Sequence, residues 1–170
     1  MTRPIYLAGI FFGLFLSLLS TIGTIYGVDG GLRSRIRCIY PIEHEKMKGI
    51  FTSKKNANNI KILTTAIDKN ITDNNTLFIY GHKPMLYYLT EKEPPVKEIW
   101  LVNSIISVSQ LFSELEASIF LKKKYPMIVD TKQHVMGEDG QKKLNTFLNK
   151  YNFYRVEDNQ IFTIWRTDIK

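Results

Sequence analysis

The stretch TLFIYGHKPMLYYL, Thr76–Leu89, decides the fold that we predict for this chain. Its first part, Thr76–Tyr80, is a short apolar run that is typical of a buried β-strand ending at Gly81. Pro84 suits the first turn of a helix, because a backbone N–H is unpaired there in any case, so Met85–Leu89 is predicted to be a short helix. A buried strand followed at once by a helix is typical of α/β domains.

The rest of the chain continues this alternation of helices and apolar strands. We predict three further helices, from Thr52 or Ser53 to Ile67, from Ser107 or Ser109 to Lys124 and from Gly140 to Tyr151. We also predict strands over Glu98–Val102 and Pro126–Asp130. The chain closes with a predicted hairpin of Phe153–Val156 and Ile161–Trp165. The predicted fold is therefore a small layered α/β domain with a mixed sheet and a C-terminal β-hairpin, preceded by an apolar N-terminal segment.

The composition limits the kinds of function open to the chain. Its 170 residues are 44% hydrophobic and 23% charged, which is typical of a folded domain. The formal net charge of +7 suits anionic lipids, nucleic acid or anionic substrates. The lysine run at 122–124 fits either a solvated helix end or contact with an acidic membrane surface. No nucleic-acid-binding motif is present, so we expect no nucleic-acid partner.

The apolar stretch Ile5–Val28 contains no charged residue. As a helix it would reach about 36 Å, enough to cross a hydrocarbon core of about 30 Å. We therefore predict a transmembrane helix with its flanks over 1–31, a linker over 32–51 and a water-soluble α/β domain over 52–170. A cleaved signal peptide is the competing interpretation, although no clean small-residue cleavage site follows the stretch.

The predicted span implies that the chain is a single-pass protein located in the cell membrane. Its candidate partners are the lipid bilayer and other membrane helices or subunits. Arg33, Arg35 and Arg37 follow the span and Arg3 precedes it, so the positive-inside rule places the α/β domain in the cytoplasm if this is the one span. If it is the last of several spans, that inference weakens and an extracytoplasmic domain stays open.

The junction between the first strand and its helix is the candidate ligand site. Ligands of open α/β sheets bind beyond the carboxyl ends of the strands, and a helix N-terminus there attracts anions. His82 and Lys83 are therefore candidate anion- or ligand-binding residues, while a plain connection between strand and helix is the simpler interpretation. Asp130 ends another predicted strand, where it can serve a ligand or cap the following turn.

Catalysis, metals and cofactors have no sequence signature in this chain. Cys38 is its one cysteine and the three histidines are widely spaced, so we predict no metal site. No nucleophile elbow, Walker loop or dinucleotide fingerprint is present. We therefore assign no catalytic residue and no cofactor, and leave enzyme activity open.

The segment FIYGHKPMLYYLTEKEPP, Phe78–Pro95, resembles part of the C-terminal extracytoplasmic region of polytopic GT-C-type glycosyltransferases that use lipid-linked sugars, the relatives of protein O-mannosyltransferases and aminoarabinose transferases. Phe147–Arg166 resembles the helix, tyrosine and hairpin that close those regions, and the resemblance covers roughly Lys48 to Arg166. Such enzymes place their catalytic acidic residue in an early loop without a counterpart here, so no catalytic residue carries over.

The resemblance implies the C-terminal membrane helix and extracytoplasmic domain of such an enzyme without its catalytic half, in contact with a lipid-linked sugar or its acceptor. The alternative is a stand-alone single-pass membrane protein whose α/β domain binds a protein partner or anionic lipid. A third hypothesis is a small anion- or nucleotide-binding enzyme domain that uses His82 and Lys83.

Overall fold

The structure of the chain, a computed structural model, describes residues 13–14, 38–71, 76–99, 106–133 and 136–168. It divides into two compact units, Met1–Lys61 and Ile62–Lys170. The strands are β1 (Tyr40–Pro41), β2 (Phe51–Thr52), β3 (Leu77–Tyr80), β4 (Met127–Asp130), β5 (Tyr154–Asp158) and β6 (Thr163–Arg166), and the α-helices are α1 (Lys54–Asn70), α2 (Met85–Thr90), α3 (Val108–Lys122) and α4 (Gly137–Lys150).

The first unit carries a small hairpin in which β1 and β2 pair antiparallel. A 3₁₀ helix over Glu45–Met47 lies in the loop between the two strands. Gly49 supplies the positive φ of 85° that the return turn requires, a conformation that glycine adopts without steric cost. Ile42 and Met47 are buried, so the hairpin has an inner side.

The second unit is built on a four-stranded mixed sheet in the order β3-β4-β6-β5. β3 and β4 run parallel with Tyr80 opposite Asp130, which confirms the predicted parallel pairing. All side chains of these two strands are buried, as expected for strands covered on both faces. β5 and β6 form the predicted terminal hairpin, and its turn is held by Asn159, whose side-chain oxygen accepts the N–H groups of Ile161 and Phe162.

The main hydrophobic core lies between one face of this sheet and the helices α3 and α4. It is formed mainly by Phe78, Tyr80, Ile128, Leu111, Phe112, Leu115, Ile119, Leu144, Phe147 and Leu148. The members from α3 and α4 recur at helical spacing, which explains why each helix turns one apolar stripe inward. The rings of Phe112 and Phe147 lie 5.7 Å apart between centroids and join the two helices.

Side-chain hydrogen bonds hold both ends of α1. The hydroxyl of Ser53 accepts the N–H of Asn56 at 3.3 Å, so Ser53 caps the helix as the sequence predicted. At the other end, the side-chain amide of Asn70 donates to the carbonyl of Ala66 at 2.8 Å and to the carboxylate of Glu157 at 3.3 Å. The second bond holds the end of α1 next to β5.

The outer edge of β3 is covered by the segment that follows it. The hydroxyl of Tyr87, a buried residue of α2, accepts the N–H of Ile79 at 2.9 Å. The carbonyl of Glu93 accepts the N–H of Leu77 at 3.4 Å. Because unpaired N–H groups on an edge strand recruit other strands, these two bonds protect the sheet from edge-to-edge association.

The predicted transmembrane helix requires correction. Among the described residues no helix is both long and apolar enough to cross a membrane. The longest of them, α1, has 17 residues and carries lysines along its length, and a bilayer core disfavours such charges. Of the stretch Ile5–Val28, Gly13 and Leu14 are described, and the rest lies outside the described residues.

The fold class and location change accordingly. The structure is a small α/β domain with a mixed sheet, and the predicted fold class was wrong in adding a membrane-spanning helix to it. The predicted single-pass location in the cell membrane depended on that helix and is wrong with it. The assignment of the domain to one side of a membrane loses its basis for the same reason.

Candidate functional site

The carboxyl ends of β3 and β4 form the polar edge where the sequence placed its candidate ligand site. His82 and Lys83 follow β3 and are both exposed. The parallel pairing brings them alongside the residues that follow β4, and the N–H of His82 donates to Oε1 of Gln133 at 3.1 Å. The next helix, α2, has only 6 residues, so few aligned peptide dipoles face an anion at this junction.

Asp130 ends β4 and is buried. Its Oδ1 accepts the N–H of Lys132 at 2.9 Å, which confirms the interpretation of Asp130 as the cap of the following turn. Its Oδ2 accepts from Nε2 of Gln141 at 3.4 Å. Both carboxylate oxygens therefore have donors, and the side chain ties the turn after β4 to α4.

Gly81 permits the two strand ends to approach closely. A Cβ at this position would lie 1.8 Å from Oγ1 of Thr131, a severe overlap. The N–H of Thr131 donates to the carbonyl of Tyr80 at 3.0 Å, and its hydroxyl lies 3.3 Å from that carbonyl and 3.3 Å from Oε1 of Gln133. Hydrogen bonds within the protein therefore brace this edge.

Tyr80 directs a buried hydroxyl at the first turn of α4. The residue is 1% exposed, and a Cβ at Gly140 would lie 2.3 Å from its Oη. Within the described part of the chain, Tyr80 Oη and Gln141 Oε1 are buried without a hydrogen-bond partner. Burial, together with the negative charge of Asp130, raises the pKa of Tyr80 to about 12, so the hydroxyl is neutral at physiological pH.

Sequence reasoning missed this buried cluster of Tyr80, Asp130 and Gln141. Tyr80 is one aromatic residue in an apolar strand, and Gln141 lies in a polar run near the start of a helix. The signal available in the sequence was Gly140, since a glycine inside a helical stretch indicates close packing.

The charged residues beside this edge are paired with one another. Lys132 donates to Asp158 at 2.7 Å and also to the carbonyl of Asn159, and Arg155 donates to Asp158 at 2.8 Å. The hydrogen bond from Lys132 is the main cause that holds the pKa of Asp158 below its ordinary value. Two cations of this edge are therefore already engaged with a carboxylate.

The remaining charges here suit an anion poorly. Glu138 and Asp139 lie in the first turn of α4 and oppose the attraction of that helix end for anions. In the portion of the chain that the structure describes, no group of three or more histidine, cysteine or acidic side chains is placed to hold a metal ion. The anion-binding role of His82 and Lys83 stays a prediction.

A shallow groove of about 230 Å³ lies between α3 and α4. Phe112 and Phe147 are among its lining residues, and so are Glu116 and Lys150, which form an ion pair of 2.7 Å. The hydrogen bond from Lys150 to Glu116 raises the pKa of Lys150. Both partners are about half exposed, so the groove is charged and open to water, and we assign it no ligand.

The end of α3 carries the most distinctive surface of the second unit. Phe120 is 82% exposed and Leu121 is 77% exposed, although both are large apolar residues. Lys122, Lys123 and Lys124 follow directly and are exposed as well. We call these five residues the basic–apolar patch.

Helix geometry explains why the patch faces solvent. The inward stripe of α3 ends at Ile119, and the next residues, Phe120 and Leu121, lie off that stripe. Lys123 ends the helix in the left-handed conformation, with φ at 50°, and redirects the chain towards β4. Single exposed apolar residues are common, but two adjacent ones beside three lysines indicate an interaction surface.

Comparison of the chain with protein-family models, with curated proteins and with solved structures yields no match. A function for the domain therefore has to be inferred from its own surface and its own chemistry.

Proposed function

We propose that the α/β domain binds peripherally to an anionic lipid surface, through the basic–apolar patch. The observation that carries this proposal is the adjacent exposed pair Phe120 and Leu121, followed directly by three exposed lysines. Segments that lie at the headgroup level of a bilayer combine large apolar side chains, which enter the acyl boundary, with lysines that meet the phosphates. Such docking requires no helix that crosses the bilayer.

The charges of the patch set the expected strength of lipid binding. Each lysine near an anionic surface contributes about 1 kcal/mol, so three lysines contribute roughly 3 kcal/mol, or about a hundredfold in partition. Glu93 lies 3.9 Å from Lys122 and is largely exposed, so solvent screens the pair and leaves Lys122 able to contact lipid. The net charge of +7 adds long-range attraction.

Co-sedimentation of the full chain with vesicles tests the proposal. The vesicles contain phosphatidylcholine alone or with about 30% phosphatidylserine, a composition with a negative surface potential. The test variant carries Lys122→Gln, Lys123→Gln and Lys124→Gln. We expect the wild type to sediment with the acidic vesicles and this variant to lose roughly a hundredfold in partition.

A matched control separates the patch from the total charge. The variant with Lys69→Gln, Lys142→Gln and Lys143→Gln removes the same charge from exposed positions elsewhere, and it should keep most of the binding. Equal losses in the two variants would show that net charge, and not the patch, causes the binding. Equal sedimentation of the wild type with neutral and acidic vesicles would also overturn the proposal.

The glycosyltransferase interpretation stays a prediction that rests on the segment Phe78–Pro95, and the comparisons give it no support. In this segment Leu86 and Leu89 are buried and Tyr87 bonds the edge of β3, so the residues that carry the resemblance build the fold. A shared fold does not imply a shared activity. The genomic sequence upstream of Met1 tests it, because an in-frame multi-helix coding region supports it and an unrelated gene close by counts against it.

A further inference from the structure

A second group of exposed apolar residues lies on the hairpin of the first unit. Ile39 and Phe51 are 64% and 55% exposed, and Tyr40 and Ile50 are exposed as well. The strand pairing places Pro41 opposite Phe51 and Tyr40 opposite Thr52. Because successive strand residues face opposite sides, Ile39 and Phe51 lie on one face of the hairpin and Tyr40 and Ile50 on the other, and both faces expose apolar side chains. We call these four residues the hairpin patch.

The charge around the hairpin patch is positive. Residues 38–61 contain five lysines and two glutamates. Lys48, Lys54 and Lys55 are exposed, and Nζ of Lys54 lies 5.9 Å from the centre of the Tyr40 ring. Glu43, one of the two acidic residues, is paired with Lys61. Exposed aromatic and aliphatic side chains among lysines complement a bilayer surface, which has negatively charged headgroups above an apolar acyl region.

We propose that the hairpin patch is a second, independent contact with an anionic lipid surface. This inference rests on the proposed function, because it assigns the same class of partner to another part of the chain. Apolar side chains that enter the acyl boundary and lysines that meet the phosphates both contribute to such a contact.

The chain contains a natural probe for this contact. Cys38 is its one cysteine and directly precedes Ile39. An environment-sensitive dye on Cys38 reports insertion of the hairpin. The same dye on Ala117→Cys, at an exposed position one helical turn before Phe120, reports the approach of α3 in a Cys38→Ser background. With phosphatidylcholine vesicles that contain about 30% phosphatidylserine, we expect both dyes to brighten by roughly twofold or more.

Substitutions provide the second measurement. Ile50→Ser with Phe51→Ser should lower partition onto the acidic vesicles by roughly tenfold, while far-UV circular dichroism shows that the fold is retained. Ile39→Ser, which changes a residue outside the paired strands, should lower it by a smaller factor and serves if the double variant fails to fold. Met85→Ser removes an exposed apolar side chain from α2 and should leave partition unchanged.

The outcomes separate this inference from the proposed function. If the wild type ignores acidic vesicles, both fail. If the wild type binds and the dye on Ala117→Cys responds, but the Cys38 dye and the hairpin variants behave as in solution, the basic–apolar patch stands and the hairpin contact is refuted. Loss of binding in the hairpin variants together with a response of the Cys38 dye supports the hairpin contact.

Discussion

Replacement of Tyr87 by phenylalanine isolates one hydrogen bond at the edge of the sheet. The hydroxyl of Tyr87 accepts the N–H of Ile79 at 2.9 Å, and Ile79 is buried, so the variant leaves a backbone donor without its partner and away from water. An unsatisfied buried donor costs about 1–3 kcal/mol. The phenyl ring keeps the apolar contacts, so no cavity term adds to this cost.

Urea unfolding of the full chain, monitored by far-UV circular dichroism, measures the decrease in the free energy of unfolding. We expect a lower midpoint with an unchanged slope, and a thermal midpoint lower by roughly 2 °C or more. Met85→Leu is the control, since it exchanges an exposed residue of the same helix for one of similar volume and should change stability by less than about 0.5 kcal/mol. Equal midpoints for Tyr87→Phe and the wild type would refute the conclusion that this hydroxyl satisfies the edge of β3.

Two further predictions concern the buried cluster. Alanine at Gly140 would place its Cβ 2.3 Å from both Tyr80 Oη and Met136 Cβ, so it should destabilise the domain by about 1–3 kcal/mol in urea unfolding, whereas an open helical site gains about 0.5–1 kcal/mol from the same change. Tyr80 ionises near its ordinary pKa of 10.0 when unfolded and at about 12 when folded, so its contribution to stability is present below pH 10 and is lost as the pH rises towards 12. Tyr80→Phe should therefore reduce the alkaline loss of stability by roughly 2 kcal/mol, and an identical pH profile for wild type and variant would contradict the assigned pKa.

Much of the second unit was predictable from local patterns. Apolar runs bounded by turn residues located β3 and β4, and the helical spacing of apolar residues located α3 and α4. Capping chemistry offered Thr52 or Ser53 as the start of α1, and the position of Asp130 at a strand end offered the turn cap as one of its two roles; the structure shows Ser53 as the cap and Asp130 in the turn. These features depend on neighbours within a few residues, so a single sequence contains them.

Features that depend on distant contacts were not predictable in the same way. The segment 32–51 was predicted to be a linker, yet its described part contains β1 and one residue of β2, strands too short for a periodic signal. The hydrogen bond from the Ile79 N–H to the Tyr87 hydroxyl and the packing of Tyr80 on Gly140 join elements that only the fold brings together.

The exposure of the basic–apolar patch was not predictable from the sequence either. The sequence displayed Lys122–Lys124 and left their role open between a solvated helix end and a membrane surface. The sequence alone does not distinguish Phe120 from the buried apolar residues of α3, but the structure shows Phe120 exposed together with Leu121. The exposure of both residues favours the membrane-surface interpretation.

The partition of the unmodified full chain onto vesicles, measured as a function of salt, tests the central claim most directly. We predict strong partition onto phosphatidylcholine with about 30% phosphatidylserine, weak partition onto phosphatidylcholine alone, and a steep loss of the acidic preference as salt shortens the Debye length from about 30 Å at 0.01 M to about 8 Å at 0.15 M. Absence of binding at low salt, or equal binding to both vesicle compositions, would contradict the proposal that this domain recognises an anionic lipid surface.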